Sequence, residues 1–447
     1  MKLWEKGIKI NEQVERFTIG KDRDLDLLIA PFDVLGSLAH SVMLEQSGLL
    51  PGNEFRLIQE ALKDLYFQII KNGFTIEENV EDVHSQVEMM LTEKLGEAGK
   101  RIHTARSRND QVLLDIKLFI RAEIRQIATL TLDLFHRFQQ QSEKTKDILM
   151  PGYTHLQMAM PSSFGLWFGA YAESLVDDMQ LLLAAYKISN QNPLGSAAGY
   201  GSSFPINRQL TTELLGFDSM NYNVVYAQMG RGKVEKIVAF ALSSIASTLS
   251  KLAWDICLYT NQNFGFIKLP DAFTTGSSIM PHKKNPDVFE LIRARCNKIQ
   301  NLPGEIGFIA NNLPSGYFRD MQVIKESFFP AFDELKNCIA MADLVVGEMI
   351  INTDILKDER YKYLFSVEEV NKLVEDGMPF RDAYRKIAEM IQSDGFNPEM
   401  AVRHSHEGSI GNLCNDKIRL KMQKIMEDFN FQKIDKAVNT LLHYEKK

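Results

Sequence analysis

Leu113-Leu114-Asp115-Ile116-Lys117-Leu118-Phe119-Ile120-Arg121-Ala122-Glu123-Ile124-Arg125-Gln126-Ile127-Ala128-Thr129-Leu130-Thr131-Leu132-Asp133-Leu134-Phe135-His136-Arg137-Phe138 is the run that decides the fold class. Within it Leu113, Ile116, Ile120, Ile124, Ile127, Leu130, Leu134 and Phe138 recur at steps of three or four, the spacing of one α-helical face. A second run begins after Pro161 and reaches about Ser189. A third carries Val234, Val238, Leu242, Ile245, Leu249, Leu252, Ile256 and Tyr259 at the same steps. Each is far longer than the mean helix of about 12 residues. Such helices bury their apolar faces against other long helices, within the chain or across subunits. Alternating strand patterns are scarce. The expected fold is mainly α, with a central bundle of long helices.

Outward from the bundle, residues 1 to about 30 read as charged and irregular. A helix is expected from Asp33 to Leu50, ended by Gly48 and Pro51-Gly52. Another runs from Asn53 to Ile70 and stops near Asn72-Gly73, and a third starts at Glu81 to Glu88 with an acidic first turn. After Glu290 a helix leads to Leu313-Pro314-Ser315-Gly316-Tyr317-Phe318-Arg319-Asp320, and another spans about Gln322 to Ile351. From Asn352 the chain reads as shorter helices. The expected division is 1–105, 106–351 and 352–447.

The chain has 447 residues, 45% of them apolar, and a net charge of −7. That balance disfavours a general nucleic-acid surface, so any anion site needs local positive charge. Cys257, Cys296, Cys338 and Cys414 show no Cys-x-x-Cys spacing, which argues for free thiols in a reducing compartment and against structural zinc. Met1-Lys2-Leu3-Trp4-Glu5-Lys6 lacks a secretory apolar core. Residues 148–172 carry no Asp, Glu, Lys or Arg, but Pro151, Gly152, His155, Gln157 and Pro161 interrupt them. The expectation is a soluble cytoplasmic protein with no membrane span.

Candidate chemistry lies in the connectors, because rigid helices position the loops at their ends. Thr275-Gly276-Ser277-Ser278-Ile279-Met280-Pro281-His282-Lys283-Lys284-Asn285-Pro286-Asp287 has small residues that free the backbone and prolines that break a helix. It reads equally as a solvated loop or as an anion site. Residues 99–110 include Lys100, Arg101, Arg106 and Arg108, either a solvated turn or an arginine clamp for carboxylates. His155 lies in Met150-Pro151-Gly152-Tyr153-Thr154-His155-Leu156-Gln157; it is a structural histidine or a proton carrier, as imidazole titrates near neutral pH. Ser277 lacks the Gly-x-Ser-x-Gly elbow of hydrolases. Gly276 and Lys283 do not make a Walker loop, since the second glycine and the Ser/Thr after the lysine are missing. Composition leaves open a Schiff base at Lys283. His404-Ser405-His406 has no third ligand in view and reads as a turn.

The stretch from Thr275 resembles the Gly-Ser-Ser-x-Met-Pro-x-Lys-x-Asn signature of the fumarase/aspartase superfamily. Thr104-Ala105-Arg106-Ser107-Arg108-Asn109-Asp110-Gln111, Pro151-Gly152-Tyr153-Thr154-His155-Leu156-Gln157 and Leu313-Pro314-Ser315-Gly316-Tyr317 resemble its argininosuccinate lyase branch. So do Asp33-Val34-Leu35-Gly36-Ser37 and Gly377-Met378-Pro379-Phe380-Arg381, in the family's order and across most of the chain.

The resemblance implies a three-domain lyase fold and a homotetramer with a twenty-helix core. Each active site would be assembled from three subunits. It implies reversible elimination of fumarate from L-argininosuccinate to give L-arginine, without metal or organic cofactor. By match to the family, Ser277 is the expected base, Lys283 neutralises the carbanion (aci-carboxylate) intermediate, and His155 with Glu290 protonates the departing nitrogen. Ser37, Arg108, Asn109, Thr154, Asn285, Tyr317, Gln322 and Lys325 match substrate contacts, and Arg231 and His84 match positions near the site. The chain departs from the pattern at Met158, Met160, Met229-Gly230-Arg231-Gly232 and Asn207-Arg208, and the family's N-terminal Trp-Gly-Gly-Arg-Phe block is mostly absent. The rival readings are an adenylosuccinate lyase-like enzyme, prompted by His282 before Lys283, and a non-catalytic crystallin-like structural protein.

Overall fold

The computed structural model describes residues 11–78 and 80–444. The N-terminal hexapeptide and most of the amino-terminal segment where a Trp-Gly-Gly-Arg-Phe block would fall lie outside them. In chain order come α1 (Glu12–Ile19), α2 (Asp22–Asp26), α3 (Ala30–Gln46), α4 (Gly52–Asn72), α5 (Val83–Leu95), α6 (Glu97–Lys100) and α7 (Arg108–Lys144). A hairpin of β1 (Leu149–Thr154) and β2 (Gln157–Ser163) precedes α8 (Phe164–Ser189), β3 (Gln191–Asn192), α9 (Arg208–Leu214), β4 (Ser219–Met220), α10 (Val224–Met229) and α11 (Lys233–Tyr259). Next are β5 (Ile267–Lys268), β6 (Thr275–Gly276), β7 (Lys284–Asn285), α12 (Asp287–Gln300), α13 (Leu302–Ala310), α14 (Ile324–Glu348) and β8 (Ile350–Ile351). The chain finishes with α15 (Ser366–Glu375), α16 (Phe380–Gln392), α17 (Asn415–Phe429) and α18 (Phe431–Leu442).

The three long periodic runs are α7, α8 and α11, and the mainly α expectation holds. They pack on one another in sequence, α7 on α8 and α8 on α11, and α12 and α14 complete the bundle. The predicted stripes face inward: Ile120, Ile124, Ile127, Leu134 and Phe138 are fully buried, as are Val238, Leu242, Ile245, Leu249 and Ile256. α11 is long and apolar enough by composition to cross a membrane, but just over half of its apolar window is buried in the bundle. All four cysteines are free thiols. Beyond residue 352, Val370, Ala383, Ile387 and Phe396 form a small separate core under α15 and α16, whereas α17 returns to pack on α8.

Three local structures differ from the sequence reading. The segment before residue 30 holds two helices; Asn11 caps the first by accepting from the Gln13 and Val14 backbone N–H groups. The connector at 150–157 is part of an antiparallel hairpin whose turn is His155-Leu156. The loop after Thr275 has a short antiparallel neck, with Thr275 opposite Asn285 and Gly276 opposite Lys284.

The start of α7 is anchored by a capping box. Ser107 caps the helix by accepting from Asn109 N, and Asp110 Oδ1 accepts from Ser107 N at 2.9 Å. The other Asp110 oxygen accepts from Gly195 N at 3.0 Å and Ala197 N at 2.9 Å, so the glycine-rich connector is tied to the same carboxylate. Gly195 sits at φ +85°, and a side-chain carbon there would meet Arg208 Cγ at 2.8 Å. Arg208 braces the connector by donating to the Leu194 and Asn221 carbonyls.

Helices α3, α5 and α7 meet at a buried charge cluster. His84 Nδ1 donates to Asp33 Oδ1 at 2.8 Å and lies 3.4 Å from Asp115 Oδ2. Burial pushes the His84 pKa down, but Asp33, and behind it Asp115 and Asp82, carry it up to about 9. Burial and the Asp33 charge raise the Asp115 pKa well above the usual carboxylate range. Both groups therefore hold more protons folded than unfolded. The His84 contribution is complete below the unfolded histidine pKa of about 6.5 and is lost as pH rises through about 9. We expect urea denaturation to show unfolding free energy falling across that window, and His84→Gln to flatten the slope. An unchanged slope in the variant would exclude His84 as its source.

Candidate active site

A cavity of about 180 Å³ opens where the first turn of α7 faces the loop before α14. Arg108, Asn109, Tyr317, Gln322 and Lys325 all line it, so five of the predicted substrate contacts converge although they span two distant parts of the sequence. His84 also reaches its wall. The charged lining is mixed, with Arg108, Arg319 and Lys325 facing Asp22, Asp26, Glu81 and Asp82. Arg108 Nη1 lies 3.1 Å from Asp82 Oδ2, and its Nη2 donates to Ser85 Oγ at 2.5 Å. Lys325 is buried between Asp22 and Asp26. Burial lowers its pKa, but the two carboxylates outweigh that and hold the ammonium above its ordinary value. Gln322 Nε2 donates to the Thr18 and Ile19 carbonyls at 3.0 and 3.1 Å, which fixes α1 against the cavity.

Ser37 is fully buried on α3, and its Oγ accepts from Arg106 Nη1 at 2.9 Å. It does not line the cavity. Arg231 is buried too; it pairs with Glu235 at 3.0 Å and donates to the Met321 carbonyl. Of the departures from the family pattern, Met158, Met160 and Met229 present partly exposed side chains, whereas Arg231 is an internal brace.

The remaining predicted residues form a second group. Thr154 and His155 stand at the hairpin tip, where His155 has φ 53° and Leu156 φ 57°. Two consecutive left-handed residues match a type I′ turn, which ordinarily uses Asn-Gly. A leucine in this region is strained, and Leu156 is 78% exposed, so no burial within its own chain repays the strain.

Ser277 lies just inside the neck formed by β6 and β7. Its Oγ accepts from the backbone N–H groups of Met280 at 3.1 Å and Ile279 at 3.3 Å. Donors converging on that oxygen favour negative charge there. Lys283 is exposed on the same loop, with its backbone N–H donating to the Met280 carbonyl. Asn285 reaches Thr275 Oγ1 at 3.5 Å across the neck, and Glu290 is exposed in the first turn of α12. Neither His155 nor Ser277 lines the cavity. Among the described residues no hydrogen bond or ion pair joins His155 to Glu290 within one chain. One chain thus presents a cavity lined by both basic and acidic side chains, and two exposed loops that carry His155 and Ser277.

Several polar residues of the cavity escaped the sequence reading: Asp22, Asp26, Glu81, Asp82 and Arg319. Only Arg319 carried a usable signal, as it follows Tyr317 in a loop already singled out. Asp33, His84 and Asp115 offer ligand atoms within 4.8 Å of one another, but His84 Nδ1 is committed to Asp33. His404 is not half of a metal pair with His406; it bridges Ser409 Oγ at 2.9 Å and Glu368 Oε1 at 3.0 Å.

Comparison with known proteins agrees along the whole chain. A family model described as Lyase matches residues 7–301. An argininosuccinate lyase of Bacteroides fragilis is 63% identical over 441 residues, covering 99% of each chain. One from Bacteroides thetaiotaomicron is 62% identical with the same coverage. Among solved structures, an EDDS lyase variant with bound fumarate superposes with a TM-score of 0.77 at 21% identity, covering 98% of this chain and 95% of that one, a likeness of fold alone. With matches of that identity over its full length, the chain belongs to the argininosuccinate lyase family.

Proposed function

We propose that this protein catalyses the reversible elimination of fumarate from L-argininosuccinate, releasing L-arginine, in arginine biosynthesis in the cytoplasm. Full-length identity above 60% with argininosuccinate lyases carries this reading. In the proposed reaction Ser277 Oγ removes a proton from the carbon beside a succinate carboxylate. The resulting dianionic aci-carboxylate needs fixed positive charge and hydrogen-bond donors. Lys283 supplies the charge and Asn285 a donor. The C–N bond then breaks, its electron pair leaves with the guanidino nitrogen, and His155, oriented by Glu290, protonates that nitrogen. The amides of Ile279 and Met280 support this role for Ser277, because they already point at the oxygen that would carry the charge. Arg108, Asn109, Tyr317, Gln322 and Lys325 hold the substrate in the cavity. Ser37 and Thr154 complete the contacts, and Ser37 must first exchange its bond from Arg106. No metal or organic cofactor takes part.

The site is completed by neighbouring chains in a homotetramer with a twenty-helix core. Two features support this. The cavity, His155 and Ser277 lie on separate elements of one chain. The long helices and their neighbours also leave large apolar side chains exposed, among them Phe240, Trp254, Leu291, Phe308 and Leu344. The division at 105/106 and 351/352 separates the N-terminal and C-terminal helical units from the helices that would form that core.

Fumarate release is followed by ultraviolet absorbance with argininosuccinate, adenylosuccinate, malate and aspartate supplied separately. The expected result is turnover of argininosuccinate. Activity on only one of the other three would replace the substrate, and activity on none of the four would favour a structural role. Ser277→Ala is expected to lower kcat by at least about a thousandfold while leaving the oligomer intact, since proton abstraction loses its base. Near-normal turnover would remove Ser277 from that role. Mixing inactive His155→Asn and Ser277→Ala proteins under subunit exchange is expected to restore part of the activity. Proven exchange without rescue would place each site within one chain.

A further inference from the structure

The hairpin that carries His155 packs against the segment leading into the C-terminal unit. Strands β1 and β2 both meet a 3₁₀ helix at Glu359–Phe365, and β1 also meets a shorter one at Ile355–Lys357. A 3₁₀ helix has three residues per turn, so Tyr361 and Leu364 share a face while Tyr363 points a third of a turn away. Tyr361 and Leu364 are buried in the main core. The Tyr361 ring lies 6.3 Å from that of Phe266. Tyr153, two positions before His155, packs on the same Phe266 at 6.5 Å and on Phe264 at 5.5 Å. Burial raises the Tyr153 pKa, and the hydrogen bond it shares with the Tyr361 side chain raises it further.

Tyr363 faces a different core. Its ring stacks on Phe396 at 5.9 Å and 12°, and Phe396 packs with Val370, Ala383 and Ile387. Met378 of the Gly377-Met378-Pro379-Phe380-Arg381 stretch joins that core as well. Seven residues of helix thus place one tyrosine against the His155 hairpin and another in the small C-terminal core. The hairpin tip itself is exposed, so within the chain its direction is set at the base. We propose that Tyr361 is a positioning residue for proton delivery: it seats His155 through Tyr153, and Tyr363 ties that seat to the C-terminal core. This rests on His155 protonating the departing nitrogen. A misplacement of about 1 Å at a reacting group costs on the order of a hundredfold in rate, so a small shift of the seat reaches kcat.

The test reads kcat, KM and the pH profile of argininosuccinate cleavage. In Tyr361→Leu, kcat is expected to fall at least about tenfold with KM held within about twofold, since most substrate contacts lie on other elements. The alkaline limb of the kcat profile, where the general acid loses its proton, should flatten because solvent then supplies the proton. Tyr361→Phe keeps the ring and should recover most of the rate. Phe396→Ala, remote from the hairpin, should lower kcat about threefold with the same flattening. Tyr153→Phe provides the same comparison if Tyr361→Leu does not fold, as judged by circular dichroism. Wild-type kcat in Tyr361→Leu overturns the role. So does a fall in kcat that leaves the shape of the profile unchanged, which marks lost packing alone. An unaltered Phe396→Ala protein overturns the tie to the C-terminal core. Near-normal turnover in His155→Asn overturns the parent assignment, and the role of Tyr361 with it.

Discussion

The buried carboxylate of Asp110 sets the position of the helix start and connector beside the cavity. It accepts the backbone N–H groups of Ser107, Gly195 and Ala197. One side chain thereby holds the first turn of α7 and the glycine-rich connector in a single relation. Arg108 and Asn109 follow directly from that helix start, so their approach to the cavity is set by backbone geometry. Burial raises the Asp110 pKa, while the three N–H donors draw it down. An uncharged isostere would keep the shape and weaken all three bonds together, because hydrogen bonds to an ionised acceptor are the stronger kind.

The residues proposed to move protons are placed by strain and exposure. Helix ends bring together the residues of the cavity, whereas His155 depends on a two-residue turn in a conformation that leucine resists. Backbone strain of this kind costs on the order of 1–3 kcal/mol per residue and persists where the surroundings hold it. Here the ladder from Leu149 to Ser163 does so. The Ser277 loop is restrained differently, by its short neck and by amides folded onto the serine oxygen.

Much of the helical frame was legible in the sequence because its signal is periodic and local. The stripes at 113–138 and 234–259 repeat often enough to announce buried faces. The β1–β2 hairpin was not legible, since Met150 to Met160 does not alternate apolar and polar residues and His155-Leu156 lacks the usual turn residues. The short helices α1 and α2 were missed for a related reason: eight and five residues give too few repeats to read. Family resemblance located Lys325 and Gln322, but nothing in either neighbourhood names their partners. Asp26 lies 299 positions from Lys325, and a pairing at that separation is a property of the folded chain alone. The burial of Ser37 beneath Arg106 was hidden likewise, because its local pattern is only that of a helix.

The tie from Gln322 to the Thr18 and Ile19 carbonyls makes the cavity sensitive to the order of α1. A helix of eight residues is marginal without its tertiary contacts. Warming is therefore expected to fray α1 before the bundle melts, and to free the Gln322 amide at the cavity wall. On the proposed function, substrate affinity would decline while the intrinsic rate of each bound complex still climbs. At limiting substrate the optimum would then fall below the melting temperature, set by eight residues at the margin of the fold.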